Sequence, residues 1–257
     1  MAMGQWVQRF VPKPRSAVRL FCFHHAGAGA AVYRPWAQLS PDEIEVCAVQ
    51  LPGRGDRLRE PALTSVSDIV DNLLPSLRGE LDRPFAFFGH SMGAVVAYEC
   101  ARGLCAEGAP EPLHLIVSGR RPPHVPDPKP PLSELPDEAF VAEVNRRYGG
   151  IPQELLAHAD VMALLLPGLR ADIRALDKHE GALPAAALSC PITAMGGRDD
   201  VLTTREHLEA WRVLTSSEFD VRLYGGGHFY LDARRAEVFA DVTSLVRRAK
   251  SFQEQGA

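Results

Sequence analysis

The chain has 257 residues, of which 46% are hydrophobic and 23% charged, with a formal net charge of −4. That length buries one substantial core and lies within the range of single-domain α/β proteins, while the composition excludes wholesale disorder and the negative balance speaks against a nucleic-acid groove. The five cysteines form no C-x-x-C pair and read as reduced core thiols, no run approaches the ~18 apolar residues of a membrane span, and the N-terminus lacks the apolar core of a signal peptide, so the expected setting is the cytoplasm.

Residues 1–16 end in Val11-Pro-Lys-Pro-Arg15, a proline-punctuated lead with room for a short edge strand at most. Ala17 to Phe23 is a run of strand formers that breaks into the small-residue loop His24-His-Ala-Gly-Ala-Gly-Ala30, and Tyr33 to Leu39 suits a short helix. Glu43 to Leu51 is a second strand, stopped by Pro52-Gly-Arg-Gly-Asp-Arg57, after which Ser65 to Leu81 carries apolar residues at helical spacing with Pro75 inside. Phe85 to Tyr98 reads as a buried strand, a sharp corner at Ser91 and a helix.

Leu113 to Ser118 is a further strand that leads into a proline-dense linker reaching Pro131. From Asp137 to about Ala182 the pattern is helical with no strand, which reads as a helical insertion in a single domain over 1–257. Alternation resumes with Pro191 to Met195 as strand, Thr204 to Leu214 as helix, Phe219 to Tyr224 as the last strand and Arg234 to Lys250 as a closing helix. Near-continuous apolar strands alternating with helices imply a mostly parallel central sheet covered on both faces, an α/β architecture. Active groups then belong at the carboxyl ends of the strands.

Four segments satisfy that rule. Gly89-His-Ser-Met-Gly93 matches G-x-S-x-G, in which the serine occupies a strained strand-to-helix turn and projects its hydroxyl above the sheet. A serine hydroxyl needs a base to take its proton, and the base needs an acid to fix its tautomer; in α/β-hydrolases these follow in the order Ser, Asp or Glu, His. His228 ends the glycine run after the last strand and is the candidate base, since His24, His25 and His90 precede the serine and the other histidines fall in a strand, the linker, the helical segment or a surface helix. Asp199 and Asp200 both follow the preceding strand; the turn Gly196-x-x-Asp199 favours Asp199, and Asp200 is the alternative or a cap for the helix at 204. The oxyanion donors are then the backbone N–H of Met92 and, from the loop after the first long strand, that of Ala26.

The Gly27-Ala28-Gly29 stretch is no dinucleotide fingerprint, because Val32 stands at the third glycine position and no acidic residue ends the next strand. No spacing of histidine, cysteine and carboxylate suggests a metal site, and no cofactor of the protein's own is expected.

Over nearly its whole length the chain resembles the stand-alone type II thioesterases of polyketide and nonribosomal peptide biosynthesis, members of the α/β-hydrolase superfamily. The resemblance is carried by Phe23-His-His-Ala-Gly-Ala-Gly29, Gln50-Leu-Pro-Gly-Arg-Gly-Asp-Arg57, Gly89-His-Ser-Met-Gly93, Ser118-Gly-Arg-Arg-Pro-Pro123 and Gly226-Gly-His-Phe-Tyr-Leu231. It departs at His24, where the family often has proline, and at the paired Asp199-Asp200. The resemblance implies hydrolysis of acyl groups from the phosphopantetheine arm of acyl or peptidyl carrier proteins through an acyl-enzyme on Ser91, with residues 122–185 as a helical lid subdomain forming an apolar acyl chamber. Arg120, Arg121, Lys129, Arg146 and Arg147 are candidates to meet an acidic carrier helix. A small-molecule carboxylesterase or lipase with the same triad is the alternative, followed by a non-catalytic binding protein on the same scaffold. The methionine start and the lack of an upstream linker favour the stand-alone form over a fused, product-cyclising domain.

Overall fold

The computed structural model describes residues 5–149, 158–179, 181 and 183–256. Seven strands form one sheet: β1 (Val7–Gln8), β2 (Val18–Phe23), β3 (Ile44–Val49), β4 (Phe85–His90), β5 (Leu115–Ser118), β6 (Ile192–Gly197) and β7 (Phe219–Tyr224). Their order is β1-β3-β2-β4-β5-β6-β7, with β1 antiparallel to β3 at the edge and all other pairs parallel. The proline-rich lead thus contributes only a two-residue edge strand, where missing amide donors cost no ladder bonds.

Strand alternation sends Phe21, Phe23, Phe85 and Phe87 to one face of the sheet, against α2 (Val66–Arg78) and α3 (Met92–Ala106). Leu20, Cys22, Ala86 and Phe88 go to the other, against Trp36 of α1 (Arg34–Leu39) and against Val238 and Phe239 of the closing helix. Both faces are therefore covered, which is why β2, β3, β4, β5 and β6 are buried throughout rather than alternately, with Arg19 of β2 ion-paired to Glu45 of β3. Cys22, Cys47, Cys100 and Cys190 are buried in this framework as free thiols, whereas Cys105 is exposed near the end of α3.

Between β5 and β6 the described residues hold α4 (Asp137–Tyr148) and α5 (Ala159–Asp177) and no strand, in accord with the helical pattern expected from Asp137 to about Ala182. Leu132, Phe140, Val144 and Ile173 form a small apolar cluster of their own there. Part of the expected 122–185 segment, including 150–157, lies outside the described residues. After β6 come α6 (Arg205–Glu209), a 3-10 turn at Ala210–Leu214, then β7, the short α7 (Tyr230–Ala233) and the closing α8 (Arg235–Gly256). The four-residue α7 has no counterpart in the sequence pattern, since a single turn is too short to show periodicity.

Candidate active site

The corner between β4 and α3 is built by two glycines and one strained serine. Ser91 has φ 54 and ψ −115, and it is the one non-glycine residue with positive φ among those described. A conformation of this kind costs roughly 1–3 kcal/mol and persists only where the surroundings over-determine it. They do so here: a Cβ on Gly89 would lie 2.1 Å from the Gly93 carbonyl oxygen, and one on Gly93 would lie 2.0 Å from that of Phe23. The Ser91 amide also donates to the Ser118 carbonyl at 2.8 Å, extending the β4–β5 ladder through the corner.

His228 follows β7 and lies over the serine. Its Nε2 accepts from the Ser91 hydroxyl at 3.1 Å, and its Nδ1–H donates to Asp200 Oδ2 at 2.8 Å. All three residues are buried. The other Asp200 oxygen accepts from the amides of Leu202 at 2.9 Å and Thr203 at 3.3 Å. Burial alone would raise the Asp200 carboxyl, but the hydrogen bond and charge of His228 and these two amides outweigh it, and the group sits below the usual carboxylate range.

The acid partner of His228 is thus Asp200, and the expectation of Asp199 is corrected. Strand β6 runs through Gly196 and Gly197, pairing them with Leu223 and Tyr224, two residues further than the sequence pattern placed its end. The turn that reverses the chain closes with the Asp200 amide donating to the Gly197 carbonyl at 3.3 Å, one residue later than expected. Asp199 continues the ladder to Gly226 instead, its amide donating to the Gly226 carbonyl at 3.0 Å and its exposed carboxylate accepting from the Gly226 amide at 3.2 Å. Gly197 makes the close approach of the two loops possible, because a Cβ there would stand 2.3 Å from the carbonyl oxygens of Gly226 and Gly227.

The backbone N–H groups of Ala26 and Met92 make no hydrogen bond among the described residues. Met92 opens α3, where the first amides have no intrahelical acceptor. Ala26 and Ser91 both line an apolar cavity of about 120 Å³, walled by Leu166, Leu169 and Ile173 of α5 and by Val144 and Tyr148 of α4. Tyr148 also packs against the His228 ring, with centroids 5.3 Å apart.

Beside this apolar cavity lies a second one of about 180 Å³ that also reaches His228 and counts Arg120, Arg121, Lys129 and Arg147 among its lining residues. Arg121 is paired with Asp127, whose carboxylate also feels the charge of Arg120, and Arg147 is paired with Glu143. Arg146 is exposed and paired with Glu143.

Sequence reasoning missed several supporting residues. His90 Nδ1 and Ser118 Oγ are hydrogen-bonded at 2.9 Å, and Ser118 Oγ meets the Tyr230 hydroxyl at 2.7 Å, so a buried polar chain runs beneath the serine. Gly119 clears this chain, since a Cβ there would lie 2.7 Å from His90 Cε1. Burial and the neighbouring His228 hold His25 down to about 4 and His90 well below the usual imidazole value, so both rings are neutral near pH 7. Among the described residues no histidine, cysteine and carboxylate group is arranged to hold a metal ion, and no helix is long and apolar enough to cross a membrane.

The chain is similar to known proteins over most of its length. The family model for the thioesterase domain matches residues 18–246. The gramicidin S biosynthesis protein GrsT of Aneurinibacillus migulanus is 39% identical over 245 residues, covering 95% of each chain. The thioesterase PikA5 of Streptomyces venezuelae is 38% identical, covering 93% of this chain and 85% of its own. Among solved structures, the type II thioesterase BorB from the borrelidin biosynthetic cluster superposes with a TM-score of 0.86 at 33% identity, over 96% of this chain and 99% of its own.

Proposed function

The chain belongs to the thioesterase family, and from that premise we propose that it hydrolyses acyl groups from the phosphopantetheine arm of acyl or peptidyl carrier proteins, the editing role of type II thioesterases in polyketide or nonribosomal peptide synthesis. The observation that carries this reading is the hydrogen-bonded line Ser91, His228, Asp200 opening onto an apolar cavity. In the proposed reaction His228 Nε2 takes the Ser91 proton as Oγ attacks the thioester carbonyl. The oxyanion is held by the N–H groups of Met92 and Ala26, and Asp200 stabilises the imidazolium. Collapse breaks the C–S bond, the sulfur takes the proton from His228, and the acyl group stays on Ser91. His228 then removes a proton from water, which attacks the ester, and returns that proton to Ser91 as the carboxylic acid leaves.

Two cavities meeting at His228 support a division of labour. The apolar one suits the acyl chain, and the helical segment over it serves as the lid. The other, with Arg120, Arg121, Lys129 and Arg147 in its lining, suits the phosphate-bearing arm and the acidic face of a carrier protein. The reaction draws on no resident cofactor, the phosphopantetheine being part of the substrate, and the buried free thiols fit a cytoplasmic setting.

The reading is tested by incubating the protein and a Ser91→Ala variant with a panel of acyl-loaded carrier proteins and following the carriers by mass spectrometry. Release of acyl groups by the parent alone is expected. Faster turnover of simple oxygen esters than of carrier thioesters would contradict it.

A further inference from the structure

The loop that carries Ala26 has little of its own to hold it. Between His24 and Gly29 its one internal backbone bond, among the described residues, is Ala28 N–H to the His25 carbonyl at 3.2 Å. It is held instead from two other parts of the chain. Asp172, in the C-terminal half of α5, accepts from the Gly27 N–H through Oδ2 at 2.8 Å. Arg54, in the loop after β3, donates through Nη1 to the Ala28 carbonyl at 3.3 Å. The two gripping side chains are bound to each other: Arg54 Nη2 donates to Asp172 Oδ1 at 2.8 Å and Nη1 to Oδ2.

This junction is deeply buried, with Asp172 at 0% and Arg54 at 7% exposure. Arg54 is itself fixed, its Nε donating to the Pro52 carbonyl at 3.2 Å, and Gln50 ties the same loop to the Ala30 amide at 3.0 Å. Gly27, at φ +76, lies so close to α5 that a Cβ on it would come within 2.9 Å of Leu169 Cδ1. The helix that walls the apolar cavity through Leu166, Leu169 and Ile173 therefore also holds the peptide next to Ala26.

A buried ion pair is poor evidence for a contribution to stability, because well-packed apolar residues of similar volume often serve as well or better. It is good at fixing geometry, since a bidentate guanidinium–carboxylate pair admits one orientation. Fixing the Ala26–Gly27 peptide plane fixes one of the two planes that meet at the Ala26 Cα, and a donor misplaced by a fraction of an ångström loses much of its value at the transition state. Resting on the reaction proposed above, we propose that Asp172 and Arg54 are positioning residues for the Ala26 oxyanion donor, so that seating α5 over the acyl cavity and completing the oxyanion hole are one event.

The test is the double variant Arg54→Met with Asp172→Leu, which removes both charges together, read with a small N-acetylcysteamine thioester so that carrier recognition plays no part. With a thermal midpoint near that of the parent, kcat is expected to fall ~10- to 100-fold with KM within about twofold, in keeping with partial loss of one oxyanion donor. Amide exchange across residues 24–29 is expected to rise at least about tenfold, as local protection depends on such contacts. Should the double variant fail to fold, Arg54→Lys keeps a charge opposite Asp172 but cannot grip it and Ala28 together, and is expected to lower kcat ~3- to 10-fold. Unchanged kcat, or unchanged exchange over 24–29, overturns the proposal. If the parent itself leaves the thioester intact, the reaction reading fails, and exchange alone decides whether the pair holds the loop.

Discussion

The two sides of the site are built differently. Ser91, Asp200 and His228 sit just past the ends of β4, β6 and β7 in the parallel part of one sheet, and the strand register that holds them is set by backbone bonds and burial along β4 to β7. The side facing the acyl cavity is assembled from α4, α5 and the loop at 24–29, joined to the sheet by Ala175 and Leu176 in the main apolar core and by buried polar contacts such as Arg54 with Asp172. On the proposed reaction, the sheet side carries the bond-making groups, and the helical side shapes the space for the acyl group.

The largest effect that separates the two comes from Ser91→Ala, which removes the nucleophile: turnover falls by ~10⁴-fold or more, and intact-mass analysis finds no acylated protein. Next is the paired test of the acid. Asp200→Asn lowers kcat by ~10³- to 10⁴-fold because the amide disfavours the needed His228 tautomer, whereas Asp199→Asn, at an exposed position away from the ring, changes kcat by less than about twofold. On the helical side, Leu166→Ala enlarges the apolar cavity; a panel of acyl thioesters then shows kcat/KM moving toward longer chains by ~10-fold, with chemistry on the best substrate nearly unchanged.

A smaller, graded effect concerns pH. His24, His90 and His114 are buried and held below the usual imidazole value, first by desolvation, so the unfolded chain binds protons on them that the folded chain refuses. Stability is therefore full above about pH 6.5 and declines as pH falls toward 4, by up to ~1 kcal/mol per pH unit for each such ring, and the depressed Asp200 carboxyl acts in the same direction at lower pH. Urea midpoints between pH 7.5 and 5 measure it; a flat profile would mean that these rings protonate within the fold.

Sequence reading succeeded where function depends on strand order. Each long strand is an apolar run closed by a polar or glycine-rich turn, so Ser91, His228 and the Ala26 loop were legible as strand-end features. It erred at the acid because Gly196 and Gly197 look like turn residues yet remain in the sheet, where Gly197 is needed for the approach of the Gly226 and Gly227 carbonyls. The Ser118–His90–Tyr230 chain was not legible, since its members come from three elements and each residue type is common. Nor was the Arg54–Asp172 pair, whose partners are 118 positions apart. One signal was present: Asp172 falls on the same helical stripe as Leu165, Leu169 and Leu176, and a carboxylate on an apolar stripe asks for a buried partner.

The most direct measurement is a single-turnover reaction of the protein with an acyl-loaded carrier, quenched on the millisecond scale and digested for peptide mass analysis. The account predicts a transient acyl adduct on Ser91 that forms as the carrier thiol is freed, decays as the acid appears, and is formed far more slowly in Asp200→Asn but not in Asp199→Asn. Thioester cleavage with no adduct on Ser91, or with Asp199 rather than Asp200 controlling its rate, would contradict it.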